Sequence, residues 1–198
     1  MKAKDVPPMQ KALADLSPYF QIFYDAFESG DDHSKDFFKR MNASHDPWLH
    51  AHLIRHWVKL YFIQHNVDAQ EYEAEHLANS GLQLSVLPWF IRIRKSLHGA
   101  VPLPGSKKQR NYYQQVLPQE FGEMHNLLLL WNATPTGDFK GLSLIYPFSA
   151  ELVRWRAEIP HPAQSASVMT TYQSAFDDLG DLDIEPLEEG EDDLEAEG

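Results

Sequence analysis

The chain has 198 residues, 43% of them apolar, and its 11 Phe, 8 Tyr and 5 Trp are ample material for one packed core without disulfide or metal staples. It has no cysteine, which excludes disulfide frameworks, Cys-ligated zinc, iron–sulfur clusters and thiol nucleophiles in one step. The net charge of −12 is local: all 17 Lys and Arg lie at or before Arg156, whereas twelve of the 29 acidic residues fall between Asp177 and Glu197, so the body is neutral and the tail carries the imbalance.

The residues before Ser17 include lysines but no apolar h-region, and no stretch approaches the roughly 18 apolar residues of a membrane span, so a cytoplasmic protein is expected. Ser17-Pro18 reads as an N-cap with proline at the first helical position. Phe20, Phe23, Tyr24 and Phe27 then recur at helical spacing, and Ser29-Gly30 is expected to stop the pattern. A short piece with Phe37, Phe38 and Met41 follows. Asp46-Pro47 opens a long segment, WLHAHLIRHWVKLYFIQHN, whose apolar residues fall on nearly every face, as in a central helix. Asp68 with Glu71 resembles a capping box, which predicts a further helix ending near Asn79-Ser80-Gly81.

After Gly81 the period changes to two. Leu82, Leu84 and Val86, then Ile91 and Ile93, alternate with polar residues around Pro88-Trp89, which predicts a hairpin with one apolar and one basic face. VPLPG at 101–105 is loop, and Ser106 caps a short helix that ends before Pro118. A second hairpin combines the run Leu127–Trp131, the turn PTGD and a return strand with Leu142, Leu144 and Tyr146. Val153, Trp155, Ala157 and Ile159 form a fifth strand. The expected fold class is α+β: N-terminal helices packed on a mainly antiparallel sheet of about five strands. The helical half spans 1–80 and the mainly β half of the same domain spans 81–176. The segment 163–176 is ambiguous between helix and coil. Residues 177–198 form a tail that is too charged to offset its chain entropy and is expected to be disordered.

Between Glu75 and Glu120 there is no acidic residue, while Arg92, Arg94, Lys95, Lys107, Lys108 and Arg110 all occur. These six predict a nucleic-acid or phosphate-binding patch, with Lys107 and Lys108 in a helix turn whose backbone N–H groups also attract anions. Tyr112 and Tyr113 beside them are candidates for stacking bases. The plainer reading is a solvated strand face followed by an ordinary helix start.

Ten histidines raise a metal question. His52 and His56, at i and i+4, are the best-spaced pair, but no third ligand can be named, so packed or half-exposed histidines are expected and no cofactor is predicted. His98, His125 and His161 fall in predicted loops and are the catalytic candidates. There is no Walker A loop, dinucleotide fingerprint, nucleophile elbow or kinase or deaminase signature. The expectation is a non-enzymatic interaction or regulatory protein, such as a component of a regulatory, toxin–antitoxin or defence system. It would bind a protein partner through the acidic tail at 177–198, with nucleic acid as a second class of partner. The alternative is an enzyme acting on RNA or another phosphate-bearing substrate, using the basic patch and a loop histidine.

Overall fold

The computed structural model describes residues 6–69, 73–77, 81–97, 99–116, 124–149, 152–164 and 171–172. Helix α1 (Met9–Leu16) buries Met9, Ala12, Leu13 and Leu16, a single stripe at helical spacing. A 3-10 turn at Ser17–Tyr19 leads into α2 (Phe20–Arg40). Ser17 does not cap that helix; its hydroxyl donates back to Ala14 O at 2.9 Å and closes α1 instead.

Helix α2 does not stop at Ser29-Gly30 but continues through Gly30, absorbing the short piece expected around Phe37–Met41. The glycine is there for packing. A Cβ at Gly30 would lie 3.1 Å from Ile54 O and 3.2 Å from Val58 Cγ2, so the missing side chain lets α2 lie close against α3 (Pro47–Ala69). Gly30→Val is expected to lower stability by about 1–3 kcal/mol through overpacking, read as a lower urea midpoint at unchanged slope. Helix α3 starts as predicted: Asp46 Oδ1 accepts from Trp48 N at 2.8 Å and Leu49 N at 3.1 Å.

The helix expected from Asp68 to residue 80 is not formed. Helix α3 runs on to Ala69, and Glu73–Leu77 is strand β1, paired with β2 (Gly81–Val86) in a register from Glu73↔Ser85 to Leu77↔Gly81. The alternation Glu73-Ala74-Glu75-His76 suits a strand, and the outer edge of β2 supplies backbone partners that an isolated capping box cannot match. The remaining strands are β3 (Trp89–Leu97), β4 (His125–Ala133), β5 (Phe139–Pro147), β6 (Val153–Ile159) and β7 (Thr171–Tyr172). Their order in the sheet is their order in the chain.

Every neighbouring pair is antiparallel except β3–β4. The crossover between those two carries α4 (Lys107–Tyr113), which returns the chain to the same end of the sheet and so makes the pair parallel. The fold is therefore α+β, with N-terminal helices packed on a mainly antiparallel sheet. The described residues hold seven strands rather than five, the additions being the outer strands β1 and β7.

Both faces of the sheet are covered at its centre. On one side Phe23, Phe27, Ile54 and Phe62 pack against Ile91, Leu127, Leu129 and Leu144. On the other, Tyr112 and Tyr113 cover Leu128, Leu130 and Ile145. The uninterrupted apolar run Leu127–Trp131 is the sequence trace of that double burial. Among the described residues no helix is long and apolar enough to cross a membrane. The acidic tail at 177–198 lies outside the described residues.

Candidate anion-binding site

The basic residues converge on β3. Alternation sends Ile91 and Ile93 into the helix-side core and leaves Arg92 and Arg94 on the side of α4. The ladder with β2 stops at the pair Gln83 and Arg92, whereas the ladder with β4 continues to Leu97. Among the described residues, β3 therefore has a ladder partner on one side only beyond Arg92. Side chains from both faces of the sheet meet around that edge.

A cavity of about 490 Å³ forms there. Arg92, Arg94 and Lys95 line it from β3, His52 and Arg55 from α3, and Lys108 from α4; among the described residues no Asp or Glu lines it. Its volume is in the range of small-molecule sites. The guanidinium of Arg92 lies 3.9 Å above the Tyr112 ring and donates from Nε to Gln83 Oε1 at 3.1 Å. The Lys95 ammonium is 5.4 Å from the centre of the Trp131 ring. Arg55 Nη2 donates to His52 Nδ1 at 2.9 Å. Among the described residues, Arg55, Arg94, Lys95 and Lys108 make no ion pair with a carboxylate.

These charges act on one another. Burial, and then the charge of Arg94, pull Arg55 below its usual range. Burial also lowers Lys95. His52 is lowered by burial, then by Arg55 and Lys95. Cations disfavoured both by desolvation and by neighbours of the same sign gain from any anion placed among them.

Four of the six basic residues singled out in the sequence, Arg92, Arg94, Lys95 and Lys108, thus share one cavity. Lys107 and Arg110 are exposed on α4 and do not line it. The start of α4 satisfies itself rather than offering free amides: Ser106 Oγ accepts from Gln109 N at 3.2 Å, and Gln109 Oε1 accepts from Gly105 N at 2.8 Å.

The tyrosines do not serve as stacking platforms. Tyr112 is buried between α4 and the sheet, its hydroxyl shared between Phe90 O at 2.6 Å and Leu127 O at 2.7 Å, and burial pushes its pKa strongly upward. Tyr113 is buried too, its hydroxyl donating to Pro102 O at 2.5 Å. The aromatic open to solvent at this cavity is Trp48, 69% exposed, its ring 4.1 Å from that of His52. Trp48, His52 and Arg55 follow the i, i+4, i+7 stripe of one helix face, a signal present in the sequence but not connected there to the patch on β3.

The histidine candidates are dispersed. His56 is exposed on α3, and neither it nor His52 has a carboxylate partner among the described residues. His98 lies outside the described residues. His125 opens β4, with Nδ1 3.3 Å from the Tyr146 hydroxyl and its ring 5.4 Å from that of Trp89. His161 follows β6, with Nε2 2.8 Å from Glu28 Oε1, on a second cavity of about 840 Å³ whose charges, Glu28, Lys140, Arg156 and Glu158, are mixed. No protein-family model matches the chain, and neither a curated protein nor a solved structure shows significant similarity to it.

Proposed function

We propose that this protein is an interaction module that binds a phosphate-bearing partner, nucleic acid foremost, in the cavity at the edge of β3. The observation that carries this reading is the meeting of Arg55, Arg92, Arg94, Lys95 and Lys108 from three elements in one cavity, which no Asp or Glu among the described residues lines. Such a cavity draws polyanions by their charge, and an exposed Trp48 at its edge supplies the flat apolar surface on which a base stacks. Neither His125 nor His161 lines it, so no described catalytic candidate is placed to act on what it holds. The acidic segment from Asp177 to Glu197 has the charge sign the cavity attracts, which makes it a competitor for the same residues.

Affinity purification of the full chain beside a version ending at Phe176 tests this reading, with copurifying nucleic acids and proteins both identified. Nucleic acid on both baits, and more of it on the shorter one, is the expected result. A protein recovered only with the full chain, and no nucleic acid with either, would move the function to the acidic segment and away from the cavity.

The reading also fixes a pH dependence. In the free protein His52 titrates below its ordinary range, because burial and then Arg55 and Lys95 disfavour its charged form. An anion held between those cations favours the imidazolium, so binding takes up a proton. Affinity for a short oligonucleotide is therefore expected to rise as pH falls from about 7 toward about 5.5, and His52→Gln to flatten the profile. A wild-type profile equally flat would remove His52 from the site.

A further inference from the structure

Away from the basic cavity, three side chains far apart in sequence meet beneath the β4–β5 turn. Asp31 on α2, His50 on α3 and Asp138 in the turn each present one ligand atom, and these atoms lie within 4.8 Å of one another. His50 Nε2 is 2.9 Å from Asp31 Oδ1 and 3.6 Å from Asp138 Oδ1. Those are spacings of donors on one small cation: two atoms each about 2.1 Å from a metal are about 3.0 Å apart at a right angle and about 3.4 Å apart at a tetrahedral one.

The surroundings hold these donors in place. Ser34 Oγ is 2.7 Å from the other ring nitrogen of His50, the outer contact that orients a ligating imidazole. Asp138 accepts from the hydroxyls of Thr134, at 3.2 Å, and Thr136. Asp31 Oδ1 also accepts from Phe139 N at 3.3 Å. Ser34 and His50 are fully buried, and the side chain of Asp31 is only 10% exposed. One side is open to water, and Lys35 stands there. Its ammonium lies 2.6 Å from Asp31 Oδ2 and 3.3 Å from Asp138 Oδ1, on a side chain 49% exposed. Two carboxylates thus share one lysine whose long stem can carry its charge out into solvent.

We infer that Asp31, His50 and Asp138 form a binding site for a divalent metal ion of the zinc or manganese type, which displaces the Lys35 ammonium when it binds. An imidazole among carboxylates selects such ions over Mg²⁺ and Ca²⁺, which prefer oxygen donors alone. Three protein ligands leave a coordination position on the Lys35 side for water or another small ligand. Because the ligands come from α2, α3 and the β4–β5 turn, the ion would tie the helical layer to the sheet.

The test is calorimetric titration of chelator-treated, full-length protein with ZnCl₂, MnCl₂ and MgCl₂, with thermal melts alongside. Saturable one-to-one binding of Zn²⁺, weaker binding of Mn²⁺, none of Mg²⁺, and a melting midpoint raised by Zn²⁺ are expected. Asp138→Asn keeps the shape but loses the anionic ligand and should weaken Zn²⁺ at least about tenfold. Lys35→Met removes the competing cation: it should lower the metal-free midpoint and tighten Zn²⁺. Replacing His52 and His56 together by alanine should leave binding unchanged. No saturable binding by wild type or Lys35→Met would overturn the inference and make the trio a hydrogen-bonded clamp. Binding lost with His52 and His56 but indifferent to Asp138→Asn would also overturn it. If Asp138→Asn fails to fold, the direction of the Lys35→Met change decides the matter.

Discussion

Replacing Arg94 and Lys108 together by glutamate is expected to reduce affinity for a single-stranded oligonucleotide by on the order of 100-fold at about 100 mM salt. The two residues approach the cavity from different elements, β3 and α4, and neither has a carboxylate partner among the described residues. Reversing them therefore removes two phosphate contacts and adds two repulsions while breaking no ion pair in the fold. Stability should move by no more than about 0.5 kcal/mol, since Lys108 is exposed, Arg94 is half-exposed and neither side chain makes a hydrogen bond or ion pair among the described residues. Fluorescence anisotropy with a labelled oligonucleotide reads the loss. The matched control is Lys107→Glu with Arg110→Glu: the same change of charge, on α4 alone and outside the cavity. If long-range charge alone drove binding, the two pairs would lose equally. If the cavity is the site, the control loses several-fold at most, the part due to steering.

The second large effect concerns Tyr112, which joins the cavity to the fold. Its ring packs with Leu128, Leu130 and Ile145, its hydroxyl reaches carbonyls on both β3 and β4, and its outer surface carries the Arg92 guanidinium. Tyr112→Ala should cost about 3–5 kcal/mol, the range for emptying a buried aromatic site. Tyr112→Phe keeps the packing and deprives two strand carbonyls of a donor, which should cost about 1–3 kcal/mol. Urea denaturation separates the two contributions. At temperatures where both variants remain folded, Tyr112→Phe should bind oligonucleotide nearly as wild type, because Arg92 keeps its platform, whereas Tyr112→Ala should bind more weakly. A Tyr112→Ala protein as stable as wild type would mean that α4 is not held to the sheet by this residue.

What the sequence made legible, and what it did not, follows from how local each determinant is. The start of α3 could be read because Asp46 caps the very next turn, and both hairpins could be read because alternation and turn residues are adjacent in the chain. The acid-free interval from Glu75 to Glu120 contains β3 and α4, and four of its basic residues come to line one cavity because those two elements pack together. The continuation of α2 through Gly30 was hidden, since it depends on how close Ile54 and Val58 come. Strand β1 was hidden because Asp68 and Glu71 imitate a helix start, and only the partner edge of β2 decides otherwise. Tyr112 and Tyr113 were misjudged as stacking groups because the buried face of a seven-residue helix is set by what it docks on. The Asp31–His50–Asp138 cluster has no sequence signature, its members being brought together by the packing of two helices and a turn.

The most direct test of the central claim is the salt dependence of single-stranded oligonucleotide binding, measured with the chain ending at Phe176 so that the acidic segment does not compete. Each phosphate neutralised contributes about −0.7 to the slope of log K against log salt, so three to five cationic contacts in the cavity predict a slope of roughly −2 to −3.5. The slope should become shallower by about 1.4 when Arg94 and Lys108 are both replaced by alanine. Saturable binding with that slope and that change would support the cavity as a polyanion site. Absence of binding at low salt, or a slope that ignores the substitutions, would contradict it.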